Sequence, residues 1–303
     1  MLDLVIIGGG PAGLSAAIYA KRAMLEVLVI EKQGFGGGQI ITTDEVDNYP
    51  GLPQISGFDL AMAFCEHAGK LGVEIQSGTV EKIREKEDYK EIVLSDGSII
   101  ETSNVLIATG AKHKHLGVKG EEKFSNSGIS YCATCDGNFY KDMEVAVVGG
   151  GDTALGEALY LSNLCKKVHL IHRRDSFRAS NAAQDEVRKK ENIILHLSWN
   201  VTEILGGEKV EKIRLENTES KEKQEIPVSG IFVAVGMQPV TDFVKDFVEL
   251  DENGYIVAGE DGQTSRNGVY VAGDVRTKPL RQIITAVADG ANAVTAAQNY
   301  LKK

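Results

Sequence analysis

Hydrophobic positions along the chain fall in short blocks, and the blocks come in a repeated order. Leu4 to Ile7 is an apolar run of strand length that ends in Gly8-Gly9-Gly10-Pro11-Ala12-Gly13. Leu14 to Ala23 then spaces small and apolar residues as a helix does, and Val27 to Ile30 is a second apolar strand closing on Glu31. Strand, glycine turn, helix and acid-tipped strand within about thirty residues predict a dinucleotide-binding βαβ unit. In such a unit the glycines let the backbone approach a pyrophosphate at a helix N-terminus, and the acid about twenty residues further on accepts from ribose hydroxyls. The order returns at Val145 to Val148, Gly149-Gly150-Gly151-Asp152-Thr153-Ala154, a helix over Ala154 to Leu164 and a strand over Val168 to Ile171. This second unit closes on His172-Arg173-Arg174-Asp175-Ser176-Phe177-Arg178 where the first has Glu31. A guanidinium engages phosphate oxygens bidentately, so Arg173, Arg174 and Arg178 predict a ligand with a 2′-phosphate, NADPH, rather than an ordinary solvated charge run.

The remaining blocks set the threading. Val93 to Ile100 reads as a hairpin around Asp96-Gly97. Val105 to Ala108 is a buried strand ending in Thr109-Gly110, and Ile231 to Val235, ending in Gly236, is its counterpart in the second module. Gly254 to Val257 and Val269 to Ala272 read as strands, the latter ending in Gly273-Asp274, and Gln282 to Leu301 as a long alanine-rich helix. The first module is incomplete until this C-terminal segment returns to it. The expected fold is therefore α/β with two Rossmann-like dinucleotide-binding domains, the second inserted into the first: 1–112 and 242–303 form the outer domain and 113–241 the insert. The Lys/Glu-rich run from Glu81 to Glu91 is read as a solvated face.

Composition narrows the class. A length of 303 residues suits one large or two ordinary domains, and no run approaches the ~18 apolar residues of a membrane span. Lys plus Arg is 33 against 43 Asp plus Glu, a net charge of −10, which argues against a general nucleic-acid binder while leaving room for a local cationic pocket. The N-terminal residues lack the pattern of a secretory signal, so the cytoplasm is the expected compartment. Eleven of the 33 glycines gather at Gly8 to Gly10, Gly13, Gly34, Gly36 to Gly38 and Gly149 to Gly151, which assigns them to turns rather than to general flexibility.

Of four cysteines, two form Cys132-Ala133-Thr134-Cys135-Asp136-Gly137. Two cysteines separated by two residues suit either a small, easily reduced disulfide or half of a zinc site. Zinc needs a second close pair, and neither the isolated Cys65 and Cys165 nor His113 and His115 supply one, so the redox reading is preferred and no metal is expected. Asp136 is either a proton shuttle for a departing thiolate or a turn residue before Gly137. Cys65 and Cys165 read as small core residues, and His67, His169 and His196 as structural, because nothing near them in sequence completes a ligand set.

These motifs carry a resemblance. The chain resembles the low-molecular-weight thioredoxin reductases over nearly its whole length, through Gly8 to Gly13, Gly37-Gly38-Gln39, Asn48-Tyr49-Pro50-Gly51, Ala108-Thr109-Gly110, Cys132 to Gly137, His172 to Arg178, and Ala272-Gly273-Asp274 with Arg281-Gln282. The Cys-Ala-Thr-Cys-Asp element just before the second nucleotide motif is the most specific of these; generic flavoprotein disulfide reductases carry their cysteines in the first domain. The resemblance implies three-layer ββα domains, a homodimer, and electron flow from NADPH through FAD to a Cys132–Cys135 disulfide and on to thioredoxin or a thioredoxin-like protein. It implies FAD at Gly8, Gly10, Pro11, Ala12, Gly13, Glu31, Gly38, Gln39, Asn48, Thr109, Gly110, Gly273, Asp274, Arg281, Gln282 and Ile283, and NADPH at Gly149, Gly151, Asp152, Thr153, Arg173, Arg174 and Arg178. It also implies Cys135 as the flavin-facing sulfur, Cys132 as the interchange thiol, Asp136 as the acid/base, and rotation of the insert between half reactions. One departure is visible: many relatives have two acidic residues where this chain has Gly156-Glu157. A ferredoxin-dependent reductase, a dithiol oxidase and a non-catalytic redox sensor are the competing expectations.

Overall fold

The computed structural model describes residues 1–43, 45–125 and 127–301, and the chain divides into two compact units, 1–112 with 238–303, and 113–237. The first unit opens with β1 (Leu2–Ile7), α1 (Pro11–Arg22), β2 (Val27–Glu31), α2 (Gly57–Lys70) and β3 (Glu74–Ser77). It continues through β4 (Val80–Glu85), β5 (Lys90–Leu94), β6 (Ile99–Ile107) and β7 (Ala111–His113), where the chain leaves it. The second unit holds β8 (Ile129–Ser130), α3 (Ala133–Asp136), β9 (Glu144–Gly149), α4 (Asp152–Ser162), β10 (Lys167–His172), α5 (Asn181–Lys189) and β11 (Ile193–Leu197). A meander of β12 (Trp199–Leu205), β13 (Lys212–Asn217) and β14 (Lys223–Pro227) and then β15 (Gly230–Ala234) follow. The chain returns through β16 (Met237–Pro239), which pairs with β7, to β17 (Val269–Val271) and α6 (Ile283–Leu301).

The two units are built alike. In the first, β3, β2, β1, β6 and β17 run parallel, and the antiparallel strands β4 and β5 join the outer half of β6. In the second, β11-β10-β9-β15-β8 is all parallel and β12-β13-β14 is a separate antiparallel sheet. Because successive residues of a strand point to opposite faces, each apolar run feeds two cores. Leu4 and Ile6 meet the small residues of α1 and α6, whereas Val5 and Ile7 meet Ile83, Ile92 and Val244. Val145 and Val147 likewise pack under α4, and Ala146 and Val148 against the β12–β14 meander. Each buried Leu, Ile or Val stabilises the fold by about 1.5–3 kcal/mol relative to exposure. Helix, parallel sheet and separate antiparallel sheet make the second unit the three-layer ββα sandwich that the resemblance implied, and in the first unit the β4–β5 hairpin supplies the third layer while staying hydrogen-bonded to β6 in one seven-stranded sheet.

Four details differ from the sequence reading. The return crossing comes before the expected boundary at 241, since Val240 N–H donates to Gly110 O and Thr241 Oγ1 to Gly254 O, both in the first unit. Gly254 to Val257 forms no strand: Asp251 Oδ1 accepts from the backbone of Asn253 and Tyr255, turning the chain, and Ile256 makes only isolated bridges to Leu250 and Arg276. The Glu81–Glu91 run is a solvated hairpin face except at Ile83 and Lys90, which are buried. His169 and His196 are not isolated; His169 Nδ1 and His196 Nε2 share a hydrogen bond of 3.0 Å across neighbouring strands. Among the described residues no helix is long and apolar enough to cross a membrane.

Candidate active site and nucleotide sites

The first glycine turn lies between the C-terminal end of β1 and the N-terminus of α1. Gly8 has φ +109°, which side chains rarely adopt, and a Cβ there would collide with Ala108 O; a Cβ at Gly13 would collide with Gly8 O. Gly10 caps α1 in extended conformation and Pro11 sits at its first position, where a missing N–H costs nothing. Ala12 faces α6, where Gly290 lets the two helices close on each other. Glu31 ends β2 beside the turn and accepts from Gly9 N–H at 2.7 Å, so its carboxylate is fixed at the position that the βαβ pattern assigns to a ribose contact. Gly38 opens a 3-10 turn beside Gly10, and Gln39 on that turn donates to Ala111 O. Thr109 Oγ1 donates to Val240 O at 2.8 Å beside Gly110, and Asn48 Nδ2 to Gln282 Oε1 at 2.9 Å, one residue before Ile283 opens α6.

Asp274 gives this cradle its unpaired polar atom. Burial pushes its carboxyl up while Lys278 and Arg281 pull it back, and Oδ1 is buried without a hydrogen bond among the described residues. A buried acceptor of this kind is costly unless a ligand supplies a donor. Arg281 lies against it, with Nε 3.4 Å from Asp274 O and its guanidinium 4.0 Å above the Tyr255 ring. Beneath the turn, Asp289 accepts from Gly273 N–H and takes a bidentate pair from Arg276 at 2.7 and 2.9 Å, with Lys278 at 2.8 Å. Burial opposes the ionisation of Asp289, but these bonds outweigh it and hold its carboxyl below the usual range. Arg276 and Asp289 escaped sequence reasoning, although a lone acid in an alanine-rich helix was the available signal. Backbone turn, acid-tipped strand and orphaned acid together fit a flavin dinucleotide.

The second glycine turn repeats the first. A Cβ at Gly149 would strike Ala234 O and one at Gly150 the His172 ring, while Gly151 caps α4 with open space around it. The arginine segment folds back onto this turn: Arg178 N–H donates to Gly150 O at 2.8 Å, and Asp152 Oδ1 accepts from Ser180 N–H at 2.8 Å. Hydrogen bonds from Ser180 keep the Asp152 carboxyl low, so Asp152 organises the loop, while Thr153 is exposed on the first turn of α4. Arg173, Arg174 and Arg178 are exposed beside the helix N-terminus, and among the described residues no ion pair occupies them. His172, stacked on Phe177, has its pKa lowered by burial and by Arg178, which keeps it neutral under the glycine turn.

In the same unit Cys132 and Cys135 are disulfide-bonded, with Cα atoms 5.3 Å apart on the single turn of α3. Ser130, at the end of β8, holds both ends of that turn. Its hydroxyl donates to Asp136 Oδ2 at 2.6 Å and accepts from Cys132 N–H at 3.1 Å. Thr134 Oγ1 lies 3.4 Å from Cys132 Sγ. Ser130 escaped the sequence reading because a serine two residues before a cysteine carries no signal without the strand that aims it. Cys65 and Cys165 are apart from this chemistry, and burial raises both thiols, Cys165 to about 11. Among the described residues no three His, Cys, Asp or Glu side chains gather as they would around a metal ion.

Two nucleotide cradles and a disulfide in the second unit are the parts of a pyridine-nucleotide-linked disulfide enzyme. The profile of the family described as pyridine nucleotide-disulphide oxidoreductase matches residues 2–290. A thioredoxin reductase of Listeria innocua is 42% identical over 99% of this chain and 94% of its own length. The chain belongs to the thioredoxin reductases of this family. The family likeness extends to Helicobacter pylori, whose thioredoxin reductase is 40% identical over 100% of this chain and 99% of its own. The crystal structure of the Streptococcus pyogenes thioredoxin reductase superposes with a TM-score of 0.92 at 44% identity, covering 100% of this chain and 98% of that one. Membership makes the chain an oxidoreductase, and the Cys132–Cys135 disulfide fits a redox-active disulfide.

Proposed function

We propose that the chain is an NADPH-dependent thioredoxin-disulfide reductase containing FAD. The observation that carries this reading is the Cys132–Cys135 disulfide with an acid, Asp136, held beside it by Ser130. Residues 1–112 with the C-terminal segment hold FAD, and the insert holds NADPH. Gly8, Gly10 and Gly13 admit the FAD pyrophosphate, Glu31 the adenosine ribose, and Asp274 and Arg281 the polar chain next to the ring. Gly149 and Gly151 admit the NADPH pyrophosphate, and Arg173, Arg174 and Arg178 recognise the 2′-phosphate. When bound, FAD supplies a two-electron relay between a nicotinamide and a disulfide.

The chain's own residues do the rest. Cys135 accepts the electron pair and Cys132 is released as the thiol that attacks an external protein disulfide, while Asp136 moves protons to and from the sulfurs. Nicotinamide, disulfide and external protein must take turns at these sites, and the double crossing through β7 and β16 supports rotation of the insert between half reactions. The partner is thioredoxin or a thioredoxin-like protein, the active form a homodimer and the compartment the cytoplasm. Anaerobic mixing with NADPH, NADH and reduced ferredoxin, side by side and with thioredoxin as acceptor, tests the reading. Rapid flavin bleaching by NADPH followed by reduction of thioredoxin is expected. Bleaching by ferredoxin alone, consumption of oxygen in place of thioredoxin, or negligible turnover would point to the competing activities.

A further inference from the structure

Glu157 is a carboxyl in the wrong place for an ordinary helix surface. It lies on α4, which packs on α3, and the backbone amide of Ala133, the residue that follows Cys132, is near enough to its carboxyl to favour the charged form. Its Oε2 is buried with no hydrogen-bond partner among the described residues. A buried carboxylate oxygen without a donor costs stability that an apolar residue would not, so its presence on the helix that packs against the disulfide-bearing turn calls for a use. Burial, opposed by the Ala133 amide, pushes the group up to about 7.

No neighbouring charge accounts for that shift. On the elements packed around α4, Asp152 is engaged with Ser180, Asp185 of α5 with Arg188, Glu144 of β9 with Lys166 and Lys167, and His169 of β10 with His196, while Glu186 and Lys189 of α5 are exposed to solvent. His172 of β10 is held neutral, and on α3 Asp136 takes the Ser130 hydroxyl. The two sulfurs, and Asp136 that exchanges protons with them, are then the groups on and beside α3 whose charge changes when the enzyme works. Sulfur anions formed there raise the cost of a neighbouring carboxylate and favour its protonation.

We propose that Glu157 is a positioning residue for the Cys132–Cys135 couple, holding the first turn of α3 through Ala133 and taking up a proton when the disulfide is reduced. The inference rests on the reductase reading, in which this pair is the redox centre. Reduction breaks one S–S bond with two electrons, supplied by dithiothreitol in the test. Each sulfur that becomes a thiol binds one proton from water, and a carboxylate at Glu157 binds one more to become the neutral acid.

Two measurements on the full chain test this without turnover. Carbon-13 NMR of labelled glutamate, assigned with Glu157→Gln, follows the carboxyl in the oxidised and dithiothreitol-reduced parent. A near-neutral titration that moves upward on reduction is expected, and the same titration in both states overturns the proposal. Equilibration with dithiothreitol buffers at a series of pH values, read by thiol alkylation, gives the couple's potential. The parent is expected to show steeper pH dependence near pH 7 than Glu157→Gln, whose amide keeps the shape of the side chain but cannot titrate; parallel curves overturn the proposal. Glu157→Asp should restore the extra dependence. If dithiothreitol leaves the disulfide intact throughout, the reductase reading fails, and the proposal with it, by an outcome distinct from parallel curves.

Discussion

The Ser130 hydroxyl donates to Asp136 Oδ2 at 2.6 Å while accepting from the backbone N–H of Cys132 at 3.1 Å. One side chain thus orients the acid and one end of the disulfide turn. Ser130→Ala is expected to lower the rate of thioredoxin reduction about tenfold, the equivalent of one charge-assisted hydrogen bond of roughly 1.4 kcal/mol. Flavin reduction by NADPH should be unchanged, because that half reaction does not use the turn. Stopped-flow separation of the two half reactions checks this, and equal loss in both would show a general structural defect instead.

Arg173 and Arg174 are exposed and form no ion pair among the described residues, so their removal costs the fold little. Replacing both with alanine should raise the KM for NADPH roughly a hundredfold, at about 1.5 kcal/mol for each charge-assisted contact, and change that for NADH less than about twofold. Steady-state kinetics with both nucleotides decides the matter. Parallel losses would make these side chains ordinary surface charges.

Gly156 lies inside the continuous helix α4, and a Cβ there would meet nothing within 4 Å. Gly156→Ala should therefore stabilise the helix by about 1 kcal/mol through lower backbone entropy in the unfolded chain. Calorimetry should show the transition that includes α4 rising by roughly 2 °C or more, with nucleotide kinetics unaltered. A drop in the midpoint would reveal a steric role for the glycine.

His196 shares its Nε2 hydrogen bond with His169, and burial, reinforced by the His169 charge, lowers its pKa to about 4. The fold favours the neutral ring. The resulting stability is fully present above the unfolded value of about 6.5 and is lost as pH falls toward 4. Thermal midpoints measured from pH 7 down to pH 4 should fall, and His196→Asn should fall less over that window. Identical slopes for the two proteins would exclude this pair as the source.

The sequence made the strand-to-turn steps at Gly8 and Gly149 legible because only glycine tolerates those close approaches, and glycine is visible in a sequence. The disulfide pair was legible for the same reason: spacing alone restricts what two cysteines can do. Ser130, Glu157 and Asp289 were not, since each owes its role to strands and helices that bring it beside residues distant in the chain or across a turn. The His169–His196 pair was hidden for a related reason. β10 and β11 set the two rings side by side, and neither residue has a neighbour in sequence that announces it. Gly254 to Val257 misled because an apolar run preceded by a glycine looks like a strand, whereas the Asp251 carboxylate had already spent the local backbone donors on a turn.

The late return of the chain to its first unit fixes an order of events during synthesis. Ala293, Val294 and Ala297 of α6 belong to the same core as Leu4 and Ile6, so the helical layer over β1 cannot close until α6 has left the ribosome. Every strand and helix of the insert has emerged by then. The insert can therefore complete its own cores while the first unit is still open along one face, and the small side chains of α1 wait uncovered for a helix that follows the whole insert in the chain.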